Sequence, residues 1–525
     1  MRTVALSGFM GTGKSTVGPA LARRLGVPFV DADEEIEREA GKRVRELWQE
    51  EGEAGFRARE AAVVERLLAE PSPKVIALGG GAVTVERTRR LLVERAVIVT
   101  LKATPETIVA RAGEVAARPN LAVGPDPVAR ARELLSQRAA AYAEAHLTVD
   151  TEANDVDAVV EAAAAVARRD PLLVPLGARS YCIDVCDAEP ARVTDAVARC
   201  APSSLVVVTD SNVERARGAA IDAALRPLDL RQTRVTLPPG EQHKGLASVA
   251  TIWDAALGGG VDRDALVVAV GGGVVGDLAG FAAACLLRGV RFVQVPTTLL
   301  AMVDASVGGK TGFDHPAGKN LVGAFHQPSA VVADLAHLGT LPERERRAGL
   351  AEAVKVAVAT DEALLAELER SAADLARGER RVLARVVRDA VAAKIRVVRD
   401  DEREAGARAL LNLGHTVGHA LEAHGGYARW LHGEAVSIGL VVEMRAMVSL
   451  GWTPPALAER TCALLRALGL PVDAQASELA AAWHYVGADK KRAKDSVRFA
   501  VVSAAGAGRV ERVRLADLKG AVLGV

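Results

Sequence analysis

The residues with the densest chemistry lie in Asn412-Leu413-Gly414-His415-Thr416-Val417-Gly418-His419, continuing to Leu431-His432-Gly433-Glu434. Three of the chain's 10 histidines stand in these two segments. His415 and His419 are four residues apart, which puts both rings on one face of a helix. His432 lies far enough on for the chain to turn and come back. Imidazole is the commonest nitrogen ligand of zinc, and a catalytic zinc takes three protein ligands and keeps one position open. A histidine pair at this spacing equally suits a helix face with satisfied hydrogen bonds, so ligation needs support from elsewhere.

Support comes from upstream. Val267-Val268-Ala269-Val270 has strand character and opens into Gly271-Gly272-Gly273-Val274-Val275-Gly276-Asp277. Glycines after a strand let backbone amides approach a pyrophosphate closely. The spacing is not the common G-x-G-x-x-G, so the pattern marks a phosphate loop without naming its nucleotide. Arg288-Gly289, Pro296-Thr297-Thr298, Asp304-Ala305-Ser306-Val307-Gly308-Gly309-Lys310, Gly318-Lys319-Asn320 and Ala351-Glu352-Ala353-Val354-Lys355 follow in order. With these motifs, residues 171–525 resemble 3-dehydroquinate synthase, the NAD- and zinc-dependent cyclase of the shikimate pathway.

That resemblance changes the metal assignment. It implies that Glu352, His415 and His432 hold the zinc (or cobalt), and it leaves His419 to the substrate. Two His and one Glu form a recognised open zinc site. Around it the resemblance places Asp304, Lys310, Lys355, Lys394, Glu404, Arg408 and Asn412 as catalytic groups, with Lys319 and Asn320 on the substrate. So many cations in one cleft repel one another unless an anion sits among them, which suits a substrate carrying a phosphate and a carboxylate. Arg288 is expected to reach a neighbouring subunit's phosphate site, which implies a homodimer. NAD is expected on Asp210, Asn212, Glu241 and Lys244, and on Gly272, Gly273, Asp277, Thr297 and Thr298. Asp489-Lys490-Lys491 matches a further element of that family, although the sequence does not say which lysine faces the site. Ala305 and His326 depart from the usual Ser and Tyr. The implied reaction oxidises C5 of 3-deoxy-D-arabino-heptulosonate 7-phosphate, eliminates phosphate, returns the hydride and closes the ring by an aldol step, with no net redox change.

A second set of chemical residues opens the chain. Thr3-Val4-Ala5-Leu6 reads as a strand, followed by Gly8-Phe9-Met10-Gly11-Thr12-Gly13-Lys14-Ser15, a full G-x-x-x-x-G-K-S, and a helix over 16–25. Backbone amides around Gly11 and Gly13 and at Thr16 can cradle phosphates, Lys14 can reach the β and γ oxygens, and Ser15 can hold magnesium. The next strand ends in Asp31-Ala32-Asp33, two carboxylates suited to metal and hydroxyl binding, although Asp33 can equally cap a helix. Arg57 sits on a helix with Glu60 three residues on and able to orient it. Gly79-Gly80-Gly81 follows another short strand, Arg118-Pro119 lies in a stretch suited to a lid, and Arg138 precedes Tyr142 on a helix. Together these resemble shikimate kinase. The resemblance implies ATP with magnesium at Ser15 and Asp31, and shikimate hydroxyls on Asp33. It also implies a carboxylate clamp by Arg57 and Arg138, a pocket lined by Gly79 to Gly81, and phosphates covered by Arg118. Ala32 and Asn120 depart from the family's usual residues.

These groups need elements to hold them, and the pattern supplies an α/β fold. Residues 1–168 read as a P-loop kinase domain, a parallel sheet flanked by helices. A short linker over 169–176 contains Pro171, which cannot continue a helix. An α/β nucleotide-binding domain is expected over 172–335, then a mostly helical metal- and substrate-binding domain over 336–525, with helices over 343–358, 363–375, 382–399, 409–423 and 434–449. A chain of 525 residues needs more than one core. Lys plus Arg and Asp plus Glu balance at 66 each, which gives no global charge for nucleic acid or a membrane surface. No apolar run has the length of a membrane span, and the first strand runs into a glycine loop instead of a signal-peptide cleavage site. The five cysteines form no zinc or disulfide spacing and read as buried free thiols. These features point to the cytoplasm and to small-molecule substrates. Rival readings are another small-metabolite P-loop kinase, joined to a different sugar-phosphate cyclase or to a metal-dependent polyol dehydrogenase.

Overall fold

A computed structural model describes residues 1–111, 121, 126–316, 318–488 and 496–524. The chain divides into two compact units, Met1–Cys182 and Ile183–Val525. In the first, strands β1 (Thr3–Ser7), β2 (Phe29–Asp31), β3 (Val75–Ala77), β4 (Ala96–Lys102) and β5 (Leu147–Asp150) form a sheet ordered β2-β3-β1-β4-β5. Neighbouring strands run parallel. Val4, Ala5 and Leu6 of β1 and Val97 and Val99 of β4 are wholly buried, as continuous apolar strands must be when helices cover both faces of a sheet. The carboxyl edge of such a sheet is where ligands bind. There β1 leads through Gly8–Gly13 into the helix Lys14–Leu25, β2 ends at Asp31, and β3 leads into Gly79-Gly80-Gly81.

The helix Val156–Arg169 closes on Asp170 in the left-handed region (φ 51°) and Pro171 prevents its continuation. The division between units comes later than that break, because Leu173 and Cys182 both pack into the first unit's core.

A seven-stranded sheet follows, made of β6 (Leu172–Val174), β7 (Tyr181–Cys186), β8 (Leu205–Asp210), β9 (Gln232–Leu237), β10 (Leu266–Gly271), β11 (Arg291–Pro296) and β14 (Ala330–Asp334). Its order is β6-β7-β14-β11-β10-β8-β9. Strands β14, β11, β10, β8 and β9 pair in parallel. A separate antiparallel hairpin, β12 (Lys310–His315) and β13 (Gly318–Phe325), leaves this sheet at the edge that carries the glycine loop. Leu205, Val206, Val207 and Val208 are all fully buried, each side chain contributing about 1.5–3 kcal/mol of hydrophobic stabilisation. A charge at Val207 would be stranded between two helix layers.

The remainder is mostly helical, with Glu343–Thr360, Arg380–Asp400, His415–His424 and His432–Ser449 nearest the chemistry. Three expectations need correction. The helix expected over 363–375 is two, Glu362–Arg370 and Ala372–Arg377, interrupted at Ser371 (φ −101°, ψ 6°). The one expected over 409–423 starts only at His415, because residues 407–412 form a 3-10 turn and Gly414 is left-handed at φ 79°. An antiparallel hairpin, β15 (Ser496–Val502) and β16 (Gly508–Arg514), interrupts the helical pattern near the end. Among the cysteines, Cys285 is exposed and Cys182 only half-buried, so two of the expected buried thiols are not. Among the described residues no helix is long and apolar enough to cross a membrane.

Candidate functional site

In the first unit, the loop after β1 turns through Gly8 (φ 130°), Gly11 (φ 75°) and Gly13 (φ 95°), conformations that only glycine adopts cheaply. The loop runs directly into the start of Lys14–Leu25, which has no side-chain cap, the setting of an anion cradle. Lys14 curls over the loop and its Nζ donates to the carbonyls of Gly8 (2.8 Å) and Phe9 (3.0 Å). Beside it Ser15 Oγ donates to Asp31 Oδ2 at 3.5 Å, so the hydroxyl and carboxylate expected to hold a cation stand together. Thr16 follows in the first turn of the helix, its N–H donating to the Gly13 carbonyl. The other Asp31 oxygen accepts from the Asp33 N–H at 3.0 Å, so Asp31 caps the helix Ala32–Ala40. The cap that is the alternative reading of Asp33 is thus supplied by Asp31, which leaves the Asp33 carboxyl to other partners. Burial, reinforced by the Asp31 charge, pushes that carboxyl up from its ordinary pKa.

Asp33 lies beside the Gly79 turn and within reach of the Arg57 charge. Arg57 Nη1 donates to Glu60 Oε2 at 2.6 Å, and the guanidinium lies 5.3 Å from the Trp48 ring centre and 5.5 Å from that of Phe56. Arg138 lies 5.4 Å over Phe9 and donates to the Gly80 carbonyl at 3.1 Å, beside the Tyr142 hydroxyl. Arg57 Nε and Glu60 Oε1 are buried with no hydrogen-bond partner among the described residues. A Cβ on Gly79 would strike Glu60 and Asp33, and one on Gly81 would strike the Arg57 guanidinium. The glycines therefore do more than let a substrate near the backbone: they make room for the charged walls.

In the second unit, β10 ends at Gly271 and the helix Gly273–Cys285 begins at once. A Cβ on Gly272 would press on Thr298, and one on Gly273 on Ala305, while the Thr297 N–H donates to the Gly271 carbonyl at 2.9 Å. The loop thus lies against the expected Thr297-Thr298 pair and fits a pyrophosphate. Asp277, in that helix, accepts from Lys244 Nζ at 2.7 Å, and Lys244 also donates to Asn320 Oδ1 at 2.6 Å. Asp210 caps the helix Ser211–Leu225 by accepting from the N–H groups of Asn212 and Val213, with Asn212 exposed at the helix start. Glu241 Oε1 pairs with Lys319 Nζ at 2.9 Å.

Three helices bring the metal candidates together. Glu352 lies mid-way along Glu343–Thr360, His415 opens His415–His424, and His432 opens His432–Ser449. A Cβ on Gly433 would collide with the Ala348 carbonyl, and one on Gly439 with that of Gly414. The last helix therefore packs against its partners nearly backbone to backbone. Glu443 accepts from the N–H groups of Gly414 (2.8 Å) and Val417 (2.9 Å), so a carboxylate on one ligand-bearing helix caps the other. The result is convergence: Glu352 Oε1 lies 3.6 Å from His415 Nε2 and 3.3 Å from His432 Nε2. His415 Nδ1 faces the Leu413 carbonyl at 3.2 Å and His432 Nδ1 faces Glu422 Oε2 at 3.0 Å. Both of these partners can accept from an Nδ1–H, the arrangement that leaves each Nε2 free to serve as a ligand. Among the described residues both buried Glu352 oxygens lack a hydrogen bond, and Oε2 is ion-paired with Lys355. One carboxylate and two imidazoles aimed at a common point are a donor set for zinc. A second group, His419, Glu422 and His432, also lies within ligating reach. His419 itself is exposed, with its ring 5.8 Å from that of His432.

The surrounding charges form two groups. Lys394 Nζ donates to Asp304 Oδ1 (2.7 Å) and to its carbonyl (2.6 Å), while Lys355 Nζ lies 3.7 Å from Asp304 Oδ1 and pairs with Glu352. Burial works against the Asp304 charge, yet the two lysines hold its carboxyl well below the usual range. Burial, together with nearby Arg408 and Lys355, pushes Lys394 down to about 8. Lys310 pairs with Glu404, which also accepts from Asn412 Nδ2 at 2.8 Å. Buried Arg408 donates to the carbonyls of Gly308 (3.1 Å) and Glu402 (2.5 Å).

The comparisons now decide the family. Residues 234–348 match the 3-dehydroquinate synthase N-terminal model, 349–492 the 3-dehydroquinate synthase C-terminal model, and 10–167 the shikimate kinase model. The 3-dehydroquinate synthase of Halorhodospira halophila is 52% identical over 272 residues, covering 52% of this chain and 77% of the relative. That of Geobacter metallireducens is 47% identical over 314 residues, covering 60% and 87%. The chain belongs to the 3-dehydroquinate synthase family. With its kinase match it is a bifunctional shikimate-pathway enzyme, carrying shikimate kinase and 3-dehydroquinate synthase. A 2-epi-5-epi-valiolone synthase from Streptomyces hygroscopicus subsp. jinggangensis, solved with NAD+ and Zn2+ bound, is similar in structure: TM-score 0.59, 29% identity, covering 66% of this chain and 96% of that one.

Within the synthase unit, Glu422 and Glu443 escaped the sequence reading. Glu422 had a signal: it lies three residues past His419 and seven past His415, on the same helix face as both histidines. Glu443 had none, because its role depends on which helix start it meets. Arg288 is exposed on a left-handed turn (φ 71°). In the kinase unit Arg118, with Pro119 and Asn120, lies outside the described residues, as do Asp489, Lys490 and Lys491 of the synthase unit.

Proposed function

We propose that the kinase unit phosphorylates the 3-hydroxyl of shikimate with ATP and magnesium, and that the synthase unit cyclises 3-deoxy-D-arabino-heptulosonate 7-phosphate to 3-dehydroquinate with NAD and zinc or cobalt. The observation that carries the synthase reading is the convergence of Glu352 Oε1 with the His415 and His432 Nε2 atoms. Bound there, the metal supplies Lewis-acid polarisation of a substrate oxygen. NAD, on Gly272, Gly273 and the Asp210, Asn212, Glu241, Lys244, Asp277, Thr297 and Thr298 surround, supplies reversible hydride acceptance at C5. The protein's share is positioning and charge. Lys355 and Lys394, held on either side of Asp304, and Lys310, Arg408 and Asn412 around Glu404 offer counter-charges to a phosphate and a carboxylate. His419 stands exposed beside the ligands, where its ring can receive the departing phosphate. Lys319 and Asn320 join the nucleotide side to the substrate side. Arg288 supports a homodimer in which it completes the neighbour's phosphate site, and the enzyme families support a cytoplasmic location.

In the kinase unit Lys14 would exchange its loop carbonyls for the β and γ phosphates of a bound nucleotide, and Ser15 and Asp31 would hold its magnesium. Arg57 and Arg138 clamp the shikimate carboxylate, Asp33 takes its hydroxyls, and the arginine of the undescribed stretch, Arg118, covers the phosphates. A coupled assay of both reactions on the purified chain tests the reading. Dehydroquinate must form with NAD far below substrate in amount, and build-up of NADH in step with product would point to a dehydrogenase instead.

The clamp gives a separate expectation. Arg138→Ala should raise the KM for shikimate by about 10- to 150-fold, the equivalent of a charge-assisted hydrogen bond worth roughly 1.5–3 kcal/mol, with ATP binding kept. Arg57→Ala should act in the same direction, and it should also lower the melting temperature because Glu60 stays buried without its ion pair. Steady-state kinetics in both substrates check this. A selective loss of ATP affinity would move the arginines to the nucleotide.

A further inference from the structure

We propose that Glu422 is a positioning residue for the metal site, a role that rests on His432 being a metal ligand. Glu422 is 3% exposed and has both oxygens engaged by different elements. Oε2 lies 3.0 Å from His432 Nδ1, and Oε1 lies 3.1 Å from Lys319 Nζ. Lys319 continues to Glu241 Oε1 at 2.9 Å and sits 5.3 Å over the Tyr427 ring. The carboxylate is thus tied to the ligand on one side and to the cation of the β12–β13 hairpin on the other. By accepting at Nδ1 of His432, its carboxylate fixes the ring's orientation so that Nε2 is the nitrogen turned toward Glu352. Without it, nothing among the described residues is placed to hold that ring in this orientation. The Lys319 contact locks the carboxylate's own rotamer, so the ring orientation depends on a residue more than a hundred positions upstream in the chain. Glu422 does not compete for the metal itself in this arrangement, because the oxygen nearest His432 is spent on Nδ1.

The test is zinc affinity of the metal-free full chain, measured by competition with a chromophoric chelator, with melting temperatures recorded alongside. Glu422→Gln should weaken zinc binding about 10- to 100-fold, the range for loss of a residue that orients a ligand, while the metal-free chain still unfolds in a cooperative transition. His432→Ala should bind far more weakly still. If Glu422→Gln keeps zinc affinity within about threefold while His432→Ala loses it, the positioning role is overturned and the ligand assignment stands. If His432→Ala keeps zinc, the ligand assignment itself fails. Nitrogen-15 spectra of the zinc-loaded unmodified chain give a second readout that needs no Glu422 variant: the His432 ring must carry hydrogen on Nδ1. A hydrogen on Nε2 overturns the proposal.

Discussion

Replacing His432 by Ala strips zinc and cyclase activity together, and replacing His419 leaves zinc bound while turnover falls. This is the largest expected effect, and two arrangements of the same histidines compete for it. Glu352, His415 and His432 form one triad and His419, Glu422 and His432 the other. In the first, two Nε2 atoms and a buried carboxylate oxygen without a hydrogen-bond donor converge. In the second, the carboxylate is already committed: Glu422 accepts from His432 Nδ1 and holds Lys319. Lys355 reaches only Oε2 of Glu352, so its buried Oε1 keeps an unmet need for a partner, and the first triad is the one better suited to an ion. Elemental analysis of Glu352→Ala, His415→Ala, His419→Ala and His432→Ala then separates the two. Zinc retained only in His419→Ala supports the first triad. Zinc retained in Glu352→Ala and lost in His419→Ala moves the metal to the second.

The second large effect is selective. Lys14→Ala should reduce shikimate phosphorylation by about 10²–10³-fold or more, as expected when a preorganised donor to transition-state charge is removed, and leave dehydroquinate formation nearly intact. Lys14 sits over the glycine loop of the first unit, and its contacts to Gly8 and Phe9 stay within that loop. The synthase groups named above all belong to the second unit. Assaying both reactions on one preparation makes the comparison internal. A folded variant that loses both activities would show that the two sites do not work independently.

Much of this was legible in residue order because the chemistry is local. The phosphate loop of the kinase needs strand, glycines, lysine and serine within a dozen positions, and the structure forms it from those positions alone. The strand-to-glycine step at Gly271 is legible for the same reason. The Arg57–Glu60 pair follows from helical spacing. Helix boundaries were less so: the left-handed Gly414 sets where the His415 helix begins, and a glycine inside an apolar run does not announce its φ in advance.

What the sequence by itself determined is the set of reacting groups and their order, two enzymes' worth in one chain, because those groups belong to short segments whose backbone conformation is set by near neighbours. It could not choose between the metal triads, since His415 and His419 share a helix face by spacing alone. The tertiary structure adds the observations that favour one of the triads. The helix His432–Ser449 approaches its partners closely at Gly433 and Gly439, and this brings Glu352 from a distant helix onto the His415 and His432 nitrogens. The same packing delivers Glu443 to the start of the His415 helix and Glu422 to the back of His432. Those partners are far apart in sequence or on different helices, and what joins them is helix packing at van der Waals distance, which no local pattern of residues encodes.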